Sequence, residues 1–261
     1  MTEDERAVVI AALLLPLQQL PAELDLEAAA PGGELRRLGV DAQTVVGLLG
    51  GGGESAPRPR AALDAAQRDL ERSRALRAPG PWRPAPNPFW AVELETPSVG
   101  SPECRVQVFT PETLIGPTGP QGDVQDILAR IMKALTGSWH AAQDFEAAVW
   151  RLLAIHQRYL WFAPWSATLD LPLPQSARVV AADALCRIRA DGSSPSPLQL
   201  VMCDLSGIQR YIFAVSSAEE WGGAARRLRA RSLLLQLLAD VAAHQVLHTL
   251  DLSPANLLMS A

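Results

Sequence analysis

The sequence predicts an α+β protein that is mostly helical, and three features of the chain carry that prediction. About half of its 261 residues fall in segments with helical apolar spacing. A proline-rich stretch separates an early group of helices from a later group. A short strand-like apolar run late in the chain is followed by a long helical segment. The regions predicted on this basis are 1–78, 79–120, 121–190 and 191–261.

The first region is predicted to be helical. Apolar residues within 3–20 surround the whole circumference of a helix, so this segment should lie inside a helical bundle. A second helical segment, 34–49, leads into the glycine run 50–53, which cannot hold regular structure. Residues 61–76 alternate charge and alanine at helical spacing, which predicts an exposed helix.

The second region is a connector. Proline recurs every few residues from 79 to 120, and this density excludes long helices and central strands. The strand-like island 104–110 could form a hairpin within it. Helical spacing returns afterwards, at 122–136, 141–162 and 176–189.

The last region is predicted to run strand, long helix, strand. Residues 198–203 are a short apolar run bounded by turn residues, which is typical of a strand buried on both faces. Helical spacing resumes after Gly223 and continues to about Leu250, and 255–260 is strand-like again. Two strands and a helix make only half of a ferredoxin-like sheet and leave one side of the helix uncovered. We therefore expect exposed apolar surface and a chain that is cut off within a domain.

Charge and cysteine content exclude several function classes. The formal net charge of −5 is too mild to indicate nucleic-acid or anionic-membrane binding by the chain as a whole. The three cysteines are far apart and include no CxxC pair, which argues against a disulfide framework and a closed zinc site. Pro16 breaks the N-terminal apolar run well short of the roughly 20 residues of a membrane span. These features predict a cytoplasmic protein without a membrane partner.

A carboxylate and a glycine follow the predicted strand directly, in the sequence DLSGIQRYIF at 204–213. An acid at the carboxyl end of a strand is a common position for contacts to ligands or metal-bound phosphates. Gly207 permits a tight turn, and the amides of 205–208 could approach an anion at the start of the next helix. The alternative is that Asp204 is only the N-cap of that helix.

A second cluster is cationic. It consists of Arg226, Arg227, Arg229 and Arg231, followed by Ser232. On a helix these arginines form a charged stripe beside an apolar one. The stripe is either a contact to RNA or nucleotide phosphate, or an ordinary solvated face.

His244 and His248 are one helical turn apart, a spacing that can hold a metal. No acid of the HExxH type lies between them and no third ligand is evident, so we interpret them as residues on a helix surface. The sequence therefore predicts neither a metal site nor a catalytic residue in this chain.

Two of these segments together resemble a known family. The segment 204–213, followed by RRLRARSLLLQLLADVAAHQVLHTLDLSPANLLMS at 226–260, closely resembles the first palm domain of the large subunit of type III-A CRISPR effector complexes, the Csm-type Cas-ten family. The family pattern is D-(I/L)-S-G-I-Q-x-(F/Y)-I, then L-R-G-R-S-(F/L), then A-N-(I/L)-L. Ala230 stands at the glycine of the second motif.

The resemblance extends over 150–261 and is loose elsewhere. The segment 158–185 is similar to the family's approach to that palm, with Pro174 and Gln175 in place of an aspartate-histidine pair. The resemblance implies an N-terminal HD-type helical domain, two ferredoxin-like palms, a zinc-bearing linker and a helical C-terminal domain. In the family, target RNA binding activates the palms to join ATP into cyclic oligoadenylates. The HD domain of many members cuts single-stranded DNA, and the family uses divalent metal (Mg, Mn, Co or Ni).

Both family activities depend on residues that this sequence lacks. The family pattern A-L-L-H-D-I-G-K aligns with 12–19 and puts Leu15 and Pro16 at its His-Asp pair, so we expect a degenerate HD-like region without a cofactor. The GGDD motif of the second palm does not occur in these residues. The resemblance suggests nucleotide-facing or palm-supporting roles for Asp204, Ser206, Gly207, Arg231 and Ser232. It suggests RNA or subunit contacts for Arg226, Arg227 and Arg229.

We therefore expect a degenerate HD-like helical domain followed by the first half of a ferredoxin-like palm, in an N-terminal fragment or natural truncation that is inactive alone. The implied partners are the crRNA-containing Csm complex subunits, target RNA through that complex, and ATP. Two alternatives stay open. One is a non-catalytic scaffold or decayed pseudoenzyme. The other is an unrelated nucleotide- or RNA-binding α/β protein that shares a strand-to-helix turn by chance.

Overall fold

Helices and short 3₁₀ turns form the regular structure of the protein. In the computed structural model, the residues described are 1–19, 25–50, 57–72, 124–160, 173–190, 198–213 and 224–258. The helices are α1 (Glu3–Leu14), α2 (Leu26–Ala29), α3 (Gly32–Arg37), α4 (Ala42–Gly50), α5 (Pro57–Arg72), α6 (Val124–Ala141), α7 (Phe145–Tyr159), α8 (Leu173–Arg189), α9 (Ile208–Phe213) and α10 (Ala224–Thr249). The 3₁₀ turns span Leu15–Gln19 and Pro254–Asn256. The predicted connector and its island 104–110 lie outside the described residues.

The helix α1 is the centre of the protein, as its apolar circumference predicts. Thr2 and Glu5 cap its start reciprocally, each side chain accepting a hydrogen bond from the other residue's backbone amide. Every residue from 7 to 14 is fully buried. The helix gives way to a 3₁₀ turn at Leu15 because Pro16 has no amide hydrogen to donate to the preceding turn.

Five helices, α4 to α8, surround or extend α1. We call α1 together with these five helices the helical body. The helix α1 packs against α4, α5, α7 and α8, and α6 packs against α7. Trp139 is fully buried on α6, and its indole nitrogen donates to the carbonyl oxygen of Ala29 at 2.9 Å. This bond satisfies the polar atom of the bulky side chain and ties α6 to the α2 segment.

The predicted helix 34–49 is divided in two by a turn. Gly39 has a φ of 68° between α3 and α4, a backbone conformation that favours glycine. A Cβ at this position would also collide with the Arg6 guanidinium. Arg6 in turn donates to the carbonyl oxygen of Leu38 at 3.1 Å, so the turn and α1 fit each other at this point.

The C-terminal part, residues 198–258, joins the body at one end. The short helix α9 packs on α10, and the 3₁₀ turn Pro254–Asn256 packs against α7 and α8. Ala255 is fully buried there. Of the described helices, none is both long and apolar enough to cross a membrane.

The predicted strands are wrong for the part of the chain that the structure describes. Residues 198–203 belong to no strand, and the strand-like 255–260 begins instead within a 3₁₀ turn. The side chains expected to be buried are exposed, with Leu200 at 81% and Met202 at 90%. A strand exists only through hydrogen bonds to a neighbouring strand, and 198–203 has none within the described residues.

Candidate functional site

The turn predicted before α9 is confirmed. Ser206 and Gly207 form it, and Gly207 has a φ of 77°, which a residue with a side chain rarely adopts. Asp204 is exposed, and α9 begins only at Ile208. Asp204 is therefore not the N-cap of this helix, which was the alternative interpretation of its position.

Arg231, in the arginine cluster of α10, contacts the helix α9 that follows the turn at Gly207. Its Nη1 atom lies 3.2 Å from the carbonyl oxygen of Tyr211 and 3.2 Å from that of Ile212. Its guanidinium carbon also lies 5.7 Å from the centre of the Tyr211 ring. These contacts satisfy carbonyl groups at the end of α9 that have no partner within the helix, and they hold α9 on α10.

The five residues predicted to face a nucleotide therefore lie at different places in the C-terminal part. Asp204, Ser206 and Gly207 precede α9 and are exposed, whereas the described Nη1 bonds of Arg231 are at the other end of the helix. A six-residue helix is about 9 Å long. Ser232 is half-buried on α10. A role for these residues toward a nucleotide stays a prediction.

The arginines predicted to contact RNA or a subunit lie in the first turns of α10. Arg226 and Arg229 are exposed, and Arg227 is half-buried. Their side of the helix continues into leucines, so the charged stripe and the apolar stripe meet end to end as well as side by side.

Many large apolar side chains of the C-terminal part are exposed, which confirms the expectation of uncovered apolar surface. We call it the apolar face. Its members are Leu198, Leu200, Val201, Met202, Leu205, Ile208 and Tyr211 before α10, and Leu233, Leu234, Leu237, Leu238, Val241 and Val246 on α10. Val241 is 64% and Leu233 55% exposed. Extensive exposed apolar surface is rare on soluble monomers and is typical of interaction surfaces.

His244 has a structural role that sequence spacing did not reveal. Its ring packs against Trp150 of α7 with centroids 5.4 Å apart and the ring planes tilted by 37°, and Nδ1 lies 3.9 Å from a carboxylate oxygen of Glu146. His248 is exposed one turn later. Within the described ranges, no three potential ligands of the His, Cys, Asp or Glu type are grouped closely enough to hold a metal ion.

The two residues that the resemblance aligns with the family's metal-binding pair do not fit a metal. Leu15 is 7% exposed and Pro16 is buried, both in the 3₁₀ turn that continues α1 into the apolar core. Neither side chain has a donor atom for a divalent cation, which requires imidazole or carboxylate ligands.

A helical body joined at one end to a unit with a large apolar face is typical of a subunit of a larger assembly. The comparison with known families agrees with this class and falls on the same part of the chain. Residues 197–261 match the family model described as Csm1 subunit domain B. The C-terminal region is therefore similar to a Csm1-type large subunit of a type III-A complex. None of the curated proteins matches the chain.

Proposed function

We propose that this chain serves in the large subunit of a type III-A CRISPR effector complex, in antiviral defence. The observation that carries the proposal is the match of 197–261 to Csm1 subunit domain B, on the same residues that expose the apolar face. A surface of that size costs free energy in water, and an assembly that covers it recovers that cost. The partners proposed are the other Csm subunits with their crRNA.

Within that assembly we propose a non-catalytic contribution from the helical body. In the family, an HD-type domain in this position cuts single-stranded DNA, whereas the residues at its metal-binding pair here are apolar and buried. The helical body then acts as a platform for the C-terminal unit. This second candidate, a scaffold or pseudoenzyme, is favoured by the fit of Leu15 and Pro16 to the core.

We propose that the C-terminal part has the role of the first palm domain. The exposed turn with Asp204, Ser206 and Gly207 would approach the phosphates of ATP, and Arg231 would support α9 beneath that turn. Arg226 and Arg229 are exposed and would contact the phosphates of RNA or an acidic patch of a subunit. Synthesis of cyclic oligoadenylates would need the second palm's acidic pair, which these 261 residues lack.

Co-purification is the direct test. The tagged full chain is co-expressed with the remaining subunits of a type III-A complex and a crRNA, beside a complete Csm-type large subunit as a positive control. We expect the chain to retain Csm subunits and crRNA, and Leu234→Glu, which places a charge in the apolar face, to abolish retention. Gln143→Glu, on the body surface, is the matched control and should retain them. Recovery of the chain alone, while the complete large subunit assembles, contradicts the proposal.

Labelled ATP and single-stranded DNA then separate the two candidate functions. If the purified complex contains the chain, binds target RNA and produces neither cyclic oligoadenylate nor cleaved DNA, the chain is a scaffold. If cyclic oligoadenylate appears, Asp204→Ala and Gly207→Val should reduce its rate, with retention of subunits as the readout that folding is intact.

A further inference from the structure

Arg189, the last residue of α8, makes more described contacts than any other side chain at the junction between the body and the C-terminal unit. Its Nε and Nη2 atoms donate to the two carboxylate oxygens of Glu5 on α1, at 3.0 and 3.1 Å. Its Nη1 donates to the carbonyl oxygen of Leu250 at 3.1 Å, and Nη2 lies 2.7 Å from that of Asp251. One side chain thus connects α1, α8 and the end of α10.

The backbone of α10 ends in a sharp turn at this point. Asp251 has a φ of 52°, a conformation that costs a residue with a side chain about 1 kcal/mol or more. Its carboxylate accepts from the Met1 amine at 2.6 Å. The chain then enters the body, where Ser253 is 1% exposed. The surroundings of Asp251 therefore hold a turn that the sequence would not favour alone.

The charges of the junction stabilise one another. Burial alone would raise the pKa of Glu5, but its bonds to Arg189 and to the Thr2 amide lower it below the ordinary value. Burial alone would lower the pKa of Arg189, but bonding to Glu5 raises it. The side chains of Arg189 and Glu5 are only 25% and 13% exposed, so water screens this bidentate pair less than a surface pair.

Beyond the junction, α10 leaves the body. The contacts described from α10 to the body, those of His244 with Trp150 and Glu146, lie in its last two turns. Earlier on the helix, Leu233, Leu234, Leu237, Leu238 and Val241 are exposed members of the apolar face. A helix of 26 residues is about 39 Å long, so its direction depends on how its last turns are held.

We propose that Arg189, Glu5 and Asp251 form an ionic clamp that sets the direction of α10 on the helical body. Opening the clamp releases the C-terminal unit to move about residues 250–253 while the body stays folded. The clamp is thus a joint between the helical body and the C-terminal part, which contains most of the matched residues 197–261.

Hydrogen–deuterium exchange of the full chain tests the clamp. Arg189→Met keeps the length of the side chain and removes its charge. We expect exchange of the amides in 244–257 to become about 10- to 100-fold faster, because each hydrogen bond to a charged group contributes a factor of about ten or more. Exchange in α5 and in the fully buried part of α1, residues 7–14, should change little.

Arg187→Met is the matched control on the same helix. Arg187 pairs with Asp183 on α8 and with Asp69 on α5, away from the junction. This variant should accelerate exchange in α5 and leave 244–257 unchanged. Arg189→Lys, which keeps the charge but loses the paired geometry, should give an intermediate effect and serves if the methionine variant does not fold.

Three results overturn the inference. One is unchanged exchange in 244–257 in both Arg189 variants. Another is equal acceleration in every helix, which would make Arg189 a contributor to global stability and not a joint. The third is an identical exchange pattern for Arg187→Met and Arg189→Met.

Discussion

Replacement of His156 by leucine is expected to remove a large part of the acid sensitivity of folding. His156 lies on α7 and is 1% exposed, and within the described residues neither ring nitrogen makes a hydrogen bond of good geometry. Burial is the main cause that lowers the pKa of His156 from 6.5 to about 4. The Leu13 backbone offsets part of that shift, and the positive charge of Arg178 adds to it. The folded protein therefore keeps this imidazole neutral.

The size of the effect follows from the two pKa values. Between pH 6.5 and about 4, the unfolded chain binds a proton at His156 and the folded chain does not. The free energy of unfolding is therefore highest above pH 6.5, where the ring is neutral in both states. It decreases as pH falls from 6.5 to about 4. At pH 4.5 the loss is about 2.5 kcal/mol. Domains of this kind are stable by about 5–15 kcal/mol, so the loss is measurable.

Urea unfolding followed by tryptophan fluorescence is the assay, because Trp139 is buried in the helical body. Free energies of unfolding are measured between pH 4.5 and 7.5 for the wild type and for His156→Leu. The variant should lose about 2.5 kcal/mol less than the wild type over that range. At pH 7.5 it should be as stable or more so, since leucine of similar volume leaves no unpaired polar atom.

The matched control is His248→Gln, which replaces a histidine that is exposed on α10 and is measured in the same assay. Its pH profile should coincide with that of the wild type. If His156→Leu and the wild type lose the same free energy toward pH 4.5, the imidazole is not held neutral in the fold, and the argument from burial fails.

Three further changes test other parts of the structure. Gly39→Ala should lower the free energy of unfolding by about 1–3 kcal/mol in urea titrations, because φ is 68° there and the new Cβ meets Arg6; an unchanged midpoint would be inconsistent with that turn. Trp139→Phe should cost about 1–3 kcal/mol because the carbonyl of Ala29 loses its donor, and an unaffected melting temperature argues against the bond. Leu237→Glu, at a side chain 51% exposed, should raise the monomeric fraction in size-exclusion chromatography and leave stability within about 0.5 kcal/mol. A large loss of stability would instead put Leu237 in a core.

Helix positions could be predicted from the sequence because their causes are local. The apolar circumference of 3–20 and the position of Pro16 predicted a buried helix and its limit, and α1 with its 3₁₀ turn agrees. The break at Gly39 was missed within the predicted helix 34–49. A single glycine is compatible with a helix, and the collision that would exclude a side chain involves Arg6, which is distant in sequence.

Strands could not be predicted in the same way. The run 198–203 has β-like composition, but a strand also needs a paired neighbour, and the described residues supply none. The composition of 198–203 therefore indicates a preference for β structure, but it does not indicate whether a neighbouring strand is present to pair with it. The same run predicted burial, whereas Met202 is 90% exposed. The turn at Gly207 was predicted correctly because it depends on one residue's backbone freedom.

In the candidate site, too, the sequence predicted the local motifs and did not predict the contacts between helices. The motifs at 204–213 and 226–232 identified the part of the chain that matches Csm1 subunit domain B. The bonds of Arg231 to the end of α9 were not readable from the motifs, because they join residues about 20 positions apart through the packing of two helices. His244 was assigned to a helix surface, and its packing against Trp150 depends on the position of α7.

By itself the sequence determined which segments are helical, where Gly207 turns the chain, and which residues resemble a CRISPR large subunit. These properties reside in the spacing and type of neighbouring residues. Tertiary structure decided that His156 is kept neutral, that Leu15 and Pro16 belong to an apolar core, and that Arg189 binds Glu5. Arg189 and Glu5 are 184 positions apart, and only the packing of α8 on α1 gives their charges a common, half-buried location where the attraction is strong.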